Sequence, residues 1–135
     1  MNGLDDLRAR IKHDLATLGM DRNTWVPQQD GVYDVLIVGG GQSGLGAAFA
    51  LLREKVSNVL VLDENPAGAE GPWITYARMI TLRTPKDLLS IDLGIPSLTF
   101  RAFWEAQYGA AGWEALGKIP RADWMAYLRF YREVL

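Results

Sequence analysis

The chain has 135 residues, 49% of them hydrophobic and 22% charged, a balance that suits one globular domain and excludes a disordered polymer. A formal net charge of −2 gives no basic surface for nucleic acid or an anionic membrane. The absence of cysteine excludes a disulfide framework, a thiolate metal site and cysteine redox chemistry, and agrees with a reducing cytoplasm.

Leu4, Leu7, Ile11, Leu15 and Leu18 recur at helical spacing with charges between them, which predicts an amphipathic helix over Leu4 to Met20, packed outside the main sheet. Asp5, Asp6, Arg8 and Arg10 in its first turns are unlike a secretory signal. The longest apolar stretch, Gly44 to Leu52, is too short to span a bilayer, so a soluble cytoplasmic protein is expected. His13, the one histidine, reads as a surface residue of this helix. Asp21 to Asp30 is a polar connector anchored by Trp25 and Val26.

Tyr33 to Val38 is a short apolar run ending in glycines, the pattern of a strand buried on both faces of a parallel sheet. Gln42 to Lys55 reads as a helix, small early and with Arg53 and Lys55 at the end where cations suit the dipole. Asn58 to Leu62 reads as a second buried strand. The three form one βαβ unit, and the expected class is α/β, a Rossmann-type dinucleotide-binding domain, incomplete, with an N-terminal helix and a helical C-terminal part. Glu64 to Pro72 is a loop, Met79 to Arg83 a possible short strand, and Phe100 to Tyr108 and Arg121 to Leu135 are predicted helices. Trp124, Tyr127, Leu128, Tyr131 and Leu135 share one face of the last helix.

Gly39-Gly40-Gly41-Gln42-Ser43-Gly44 satisfies G-x-G-x-x-G between a buried strand and a helix, the context in which the pattern carries a mechanism. Gly39 permits the tight turn, Gly41 lets the backbone approach a pyrophosphate, and Gly44 lets the helix lie against the strand. The free N–H groups of the helix's first turn then face the phosphates. Asp63, nineteen residues after Gly44, is placed for a ribose diol. Glu64 beside it, with no adjacent Arg or Lys, disfavours a 2′-phosphate and so NADP at this site. FAD and NAD share the remaining chemistry, and the motif does not separate them.

Residues Asp34 to Pro85 resemble the N-terminal FAD-binding segment of flavin-dependent monooxygenases. The similar stretches are DVLIVGGGQSGLGAAFAL at Asp34 to Leu51, VLVLDE at Val59 to Glu64, and Gly71-Pro72-Trp73. Thr81 to Lys86 looks like the segment that continues along the cofactor. The resemblance implies FAD as cofactor and NADPH as co-substrate of the complete enzyme. It implies that Gly39, Gly41, Gln42, Ser43 and Gly44 touch the FAD pyrophosphate. Asp63, with Glu64 adjoining, would lie at the adenosine ribose and Trp73 near the flavin, and Arg83 is a lesser candidate for a cofactor or substrate contact.

Three regions are expected: residues 1–30 as helix and connector, 31–90 as the FAD-binding βαβ unit and cofactor loop, and 91–135 as a truncated helical extension. The second glycine motif that would hold NADPH in that family is not found, so the chain is expected to be an inactive FAD-binding portion. A strand lying mid-sheet would have a bare edge, which invites a completing polypeptide or self-association. The alternatives are an NAD-linked dehydrogenase fragment and a non-catalytic interaction module on a degenerate Rossmann fold. Phe103, Trp104, Trp113, Trp124, Tyr127 and Tyr131 would be the interface of such a module, although aromatic residues at helical spacing read first as core. No Ser/His/Asp set and no metal-ligand spacing is present, and no catalytic residue is named.

Overall fold

The computed structural model describes residues 3–20, 24–88 and 91–135; the first part of the expected connector, 21–23, lies outside them. Helix α1, Gly3–Thr17, buries Leu7 and Ile11 and carries Asp5 and Asp6 in its first turn, where the dipole favours them. His13 is exposed on it. Trp25 anchors the connector by hydrogen bonding rather than burial: its Nε1–H donates to the Glu54 carbonyl at 2.9 Å while the residue stays 71% exposed.

Strands β1, Val35–Val38, and β2, Val59–Leu62, flank helix α2, Gln42–Arg53. The strands pair in parallel, from Val35 opposite Val59 to Val38 opposite Leu62. They form a two-stranded sheet, so among the described residues the outer edges carry no further strand. Helix α2 buries Leu45 and Phe49, one turn apart. Burial of β1 on both faces, expected from its continuous apolar run, is not what the structure has. Val35 and Ile37 are half-buried, whereas Leu36 and Val38 are 56% and 83% exposed. A run with no polar residue suits a two-sided position, and here only the face toward α2 is covered.

The expected strand over Met79 to Arg83 is reduced to one antiparallel bridge, Thr81 opposite Pro120. The Leu82 N–H donates to the Ile119 carbonyl at 2.8 Å and the Arg121 N–H to the Ile80 carbonyl at 3.0 Å. The ladder stops there because Pro120 has no N–H and a helix begins at the next residue.

Most of the core lies on helices, and its largest fully buried side chains are aromatic. Helix α3, Phe100–Ala115, is capped by the Thr99 hydroxyl, which accepts from the Ala102 N–H, and is broken at Gly109, whose φ of 71° only glycine adopts freely. Helix α4, Arg121–Val134, buries Trp124, Met125, Tyr127, Leu128, Phe130 and Tyr131. Helix α1 packs on α3, with Gly3 set directly against the Ala106 backbone. The buried phenols are satisfied: Tyr127 donates to the Leu98 carbonyl at 2.5 Å and Tyr131 to the Ile91 carbonyl at 2.6 Å. Phe49 of α2 meets the Tyr131 ring edge-on at 5.7 Å, so the βαβ unit and α4 share one core. Phe103, Trp113, Trp124, Tyr127 and Tyr131 are buried in this cluster and Trp104 packs against it, which makes them core rather than a free interface.

Candidate functional site: the glycine turn and the strap over it

The turn from β1 into α2 is built from backbone. Gly39 has φ 108°, outside the range of other residues, and its N–H extends the ladder to the Leu62 carbonyl at 2.7 Å. Gly41 is the N-cap of α2, and no side chain caps it. The intrahelical ladder begins with the Leu45 N–H to the Gly41 carbonyl at 2.9 Å. The earlier amides of the first turn have no side-chain cap and carry the positive end of the dipole, which could receive an anion. A Cβ on Gly44 would be driven into the Gly39 carbonyl oxygen, so only glycine lets α2 lie this close to β1.

Asp63 stands at the end of β2, where the strand ladder delivers it beside the turn. Its Oδ2 accepts the buried Gly40 N–H at 2.7 Å, and its Oδ1 accepts the Asn65 N–H at 2.8 Å. The Asn65 amide and then the Gly40 amide hold the Asp63 carboxyl below the usual carboxylate range, against smaller raising effects of desolvation and of Glu70. Asp63 is therefore an anion held against the glycine turn, while its neighbour Glu64 is exposed.

A strap of residues 66–73 crosses the turn. Gly71, at φ 75°, faces Gly41: a Cβ on Gly41 would stand 3.4 Å from the Gly71 Cα. Helix α4 pins this strap at two points. Arg129 donates from Nε and Nη2 to the Gly68 carbonyl at 2.8 and 2.5 Å. Both terminal nitrogens of Arg132 engage the carboxylate of Glu70. Only 5% of the Glu70 side chain is exposed, and the Arg132 contact above all pulls its pKa down to about 2. Trp124 of α4 also donates from Nε1 to the Gln42 side chain at 3.1 Å, which fixes the first residue of α2. Trp73 is half-buried, edge-on to Trp124 at 6.4 Å, and its buried Nε1–H lacks an acceptor.

Gly39, Gly41, Gln42, Gly44 and Asp63 are thus brought together, and Trp73 joins them through Gly71. Ser43 is exposed at the start of α2, and Glu64 and Arg83 lie exposed in loops. A cavity of about 380 Å³ opens beside Asp63, lined at its polar end by Gly40, Asn65, Glu70 and Arg132; neither Glu64 nor Arg83 lines it. Glu70, Arg129 and Arg132 are not singled out by the sequence, and Trp124 is singled out there only as core or interface. An acid inside an otherwise Ala-, Gly- and Pro-rich loop was the one available sign for Glu70. Among the described residues no group of three or more His, Cys, Asp or Glu side chains could hold a metal, and no helix is long and apolar enough to cross a membrane.

Residues 36–135 match the family of FAD-NAD(P)-binding proteins. The FAD-dependent urate hydroxylase of Xanthomonas campestris pv. campestris is 64% identical over 136 aligned positions, which take in 98% of this chain and 29% of that protein. The chain therefore spans less than a third of the length of this curated relative. No solved structure matches it. With a matched segment that covers the glycine turn, Asp63, the strap and α4, the chain belongs to the FAD-NAD(P)-binding family.

Proposed function

We propose that the chain is the FAD-binding portion of a flavoprotein monooxygenase that uses NADPH and hydroxylates urate. The observation that supports a dinucleotide is the 2.7 Å bond from the Gly40 amide to Asp63, which sets a carboxylate suited to a ribose beside an uncapped helix N-terminus; FAD rather than NAD rests on the family match and the FAD-dependent relative. The substrate assignment rests on the 64% identity to the urate hydroxylase.

In this reading the turn Gly39 to Gly44 holds the diphosphate, with the Gln42 and Ser43 amides turned to its oxygens. Asp63 accepts from the adenosine ribose hydroxyls, and Glu64 adds negative charge that rejects a 2′-phosphate. Trp73 lies toward the flavin, where its unpaired Nε1–H has a polar acceptor to meet, and Arg83 is a lesser contact. FAD, when bound, would supply the redox chemistry of the reaction. Residues 31–90 form the cofactor unit, 1–30 support it, and 91–135 brace it through α4. The working compartment is the cytoplasm.

The chain alone is expected to oxidise no NADPH, since flavin reduction needs a nicotinamide site as well. Exposed Leu36 and Val38 on β1 suit a completing polypeptide, and they also support a second reading as a non-catalytic interaction module. A visible absorbance spectrum after incubation with FAD and desalting separates the two. Retained flavin bands are expected; a colourless protein overturns the FAD reading.

A further inference from the structure

Two carboxylates flank Gly40. Asp63 accepts its N–H at 2.7 Å, and the Glu70 Cγ would stand 3.4 Å from a Cβ placed on Gly40. That methylene carries a second anion beside a turn that holds a diphosphate in the dinucleotide reading, and the charge would repel it, because a buried charge is poorly screened. Glu70 is also fixed there. Its Oε2 accepts the Gly68 N–H at 2.9 Å, and Arg129 holds the carbonyl of the same residue. What stands against Glu70 is Arg132, whose guanidinium grips both carboxylate oxygens and also feels the charge of Asp63.

We propose that Arg132 is a positioning residue that cancels the charge of Glu70, so that the strap can close on Gly41 without repelling the diphosphate of a bound dinucleotide. The proposal rests on the dinucleotide reading above. A merely structural ion pair would act differently, since losing either partner would loosen the strap and weaken binding alike. Charge cancellation requires opposite signs for the two losses.

The test is calorimetric titration of the 135-residue chain with ADP, which has the ribose and diphosphate, and with adenosine, which has no charge. Glu70→Gln keeps an acceptor for Gly68 and is expected to tighten ADP about threefold, whereas Arg132→Met weakens it about tenfold. The double variant returns close to the wild-type affinity, adenosine binding moves less than about twofold, and the Arg132→Met defect shrinks as salt rises. Weakening by both single variants, equal for ADP and adenosine, would overturn the proposal. Should Arg132→Met unfold, Glu70→Gln and the double variant still give the sign. Should the wild-type chain bind neither ADP nor FAD, the dinucleotide reading itself falls. The charge pairing is then read from the Asp63 carboxyl by NMR, whose midpoint rises in Arg132→Met and returns in the double variant; no movement overturns it.

Discussion

Gly41 and Gly71 face each other across the site, each Cα in van der Waals contact with the point where the other's side chain would begin: the two hypothetical Cβ contacts are 3.4 and 3.5 Å. The missing side chain of Gly41 therefore clears the strap as well as any ligand. Gly41→Ala would place its methyl in ordinary van der Waals contact and is expected to cost under about 1 kcal/mol. Gly41→Val adds two methyl groups against the backbone of Gly71 and should lift residues 68–73 off the turn. We expect a loss of about 2 kcal/mol in urea unfolding together with loss of FAD retention. Equal behaviour of the two variants would mean that the strap is not seated on Gly41.

Gly44 is less forgiving. The Cβ of Gly44→Ala would meet the carbonyl of Gly39, with the Ile37 side chain 3.4 Å away on the same side. Neither the strand nor the helix can yield without breaking the pairing of Gly39 with Leu62. A cost of about 3 kcal/mol, the upper end for overpacking against a rigid neighbour, is expected in thermal or urea denaturation. By contrast, Gly46 has open space where its Cβ would stand. Gly46→Ala is expected to be neutral or to stabilise α2 by up to about 1 kcal/mol, since alanine is the better helix former.

The glycine turn and Asp63 were legible in the sequence because each depends on residues close along the chain and on one strand register. The βαβ order was legible for the same reason. Glu70 and Arg132 are 62 residues apart and Gln42 and Trp124 are 82 apart, so no periodicity joins them. The apolar face of α4 could be read, yet its two arginines on the strap could not, because charge at helical spacing looks the same whether it meets water or a carboxylate. The strands went the other way. Leu36 and Val38 read as buried, and they are exposed because nothing among the described residues covers that face of β1.

Trp73 and Trp124 offer paired indoles with opposite hydrogen-bonding states. Trp124 is fully buried and its N–H is used by Gln42; Trp73 keeps a buried N–H with no acceptor. Trp124→Phe should cost about 2–3 kcal/mol, from lost ring area and from a Gln42 carbonyl left without its donor. Trp73→Phe should stay within about 1 kcal/mol of wild type, since removing an unsatisfied donor offsets the smaller ring. If that donor is taken up by the cofactor, Trp73→Phe also weakens FAD several-fold in a fluorescence titration while leaving the melting temperature in place. A large stability loss at Trp73 would show that its ring, not its N–H, is what matters.

The Glu70–Arg132 pair makes the fold acid-sensitive. Glu70 moves from an ordinary value of 4.5 down to about 2 on folding, chiefly through the Arg132 hydrogen bonds. A depressed carboxyl contributes stability that is fully present above the unfolded value and is lost as pH falls through the folded one. The window for this pair therefore runs from about pH 4.5 down to about 2. Asp63 is lowered by its two backbone amides and adds a contribution of the same sign. Because the Arg132 side chain is 38% exposed, screening leaves about 2 kcal/mol for the Glu70 pair. Urea midpoints measured from neutral pH downward should be flat to about pH 5 and then fall. In Glu70→Gln the fall should be shallower over the same window, with a residual slope left to Asp63. An unchanged slope would mean that Arg132 and Glu70 are not paired in solution, and that α4 holds the strap through Arg129 alone.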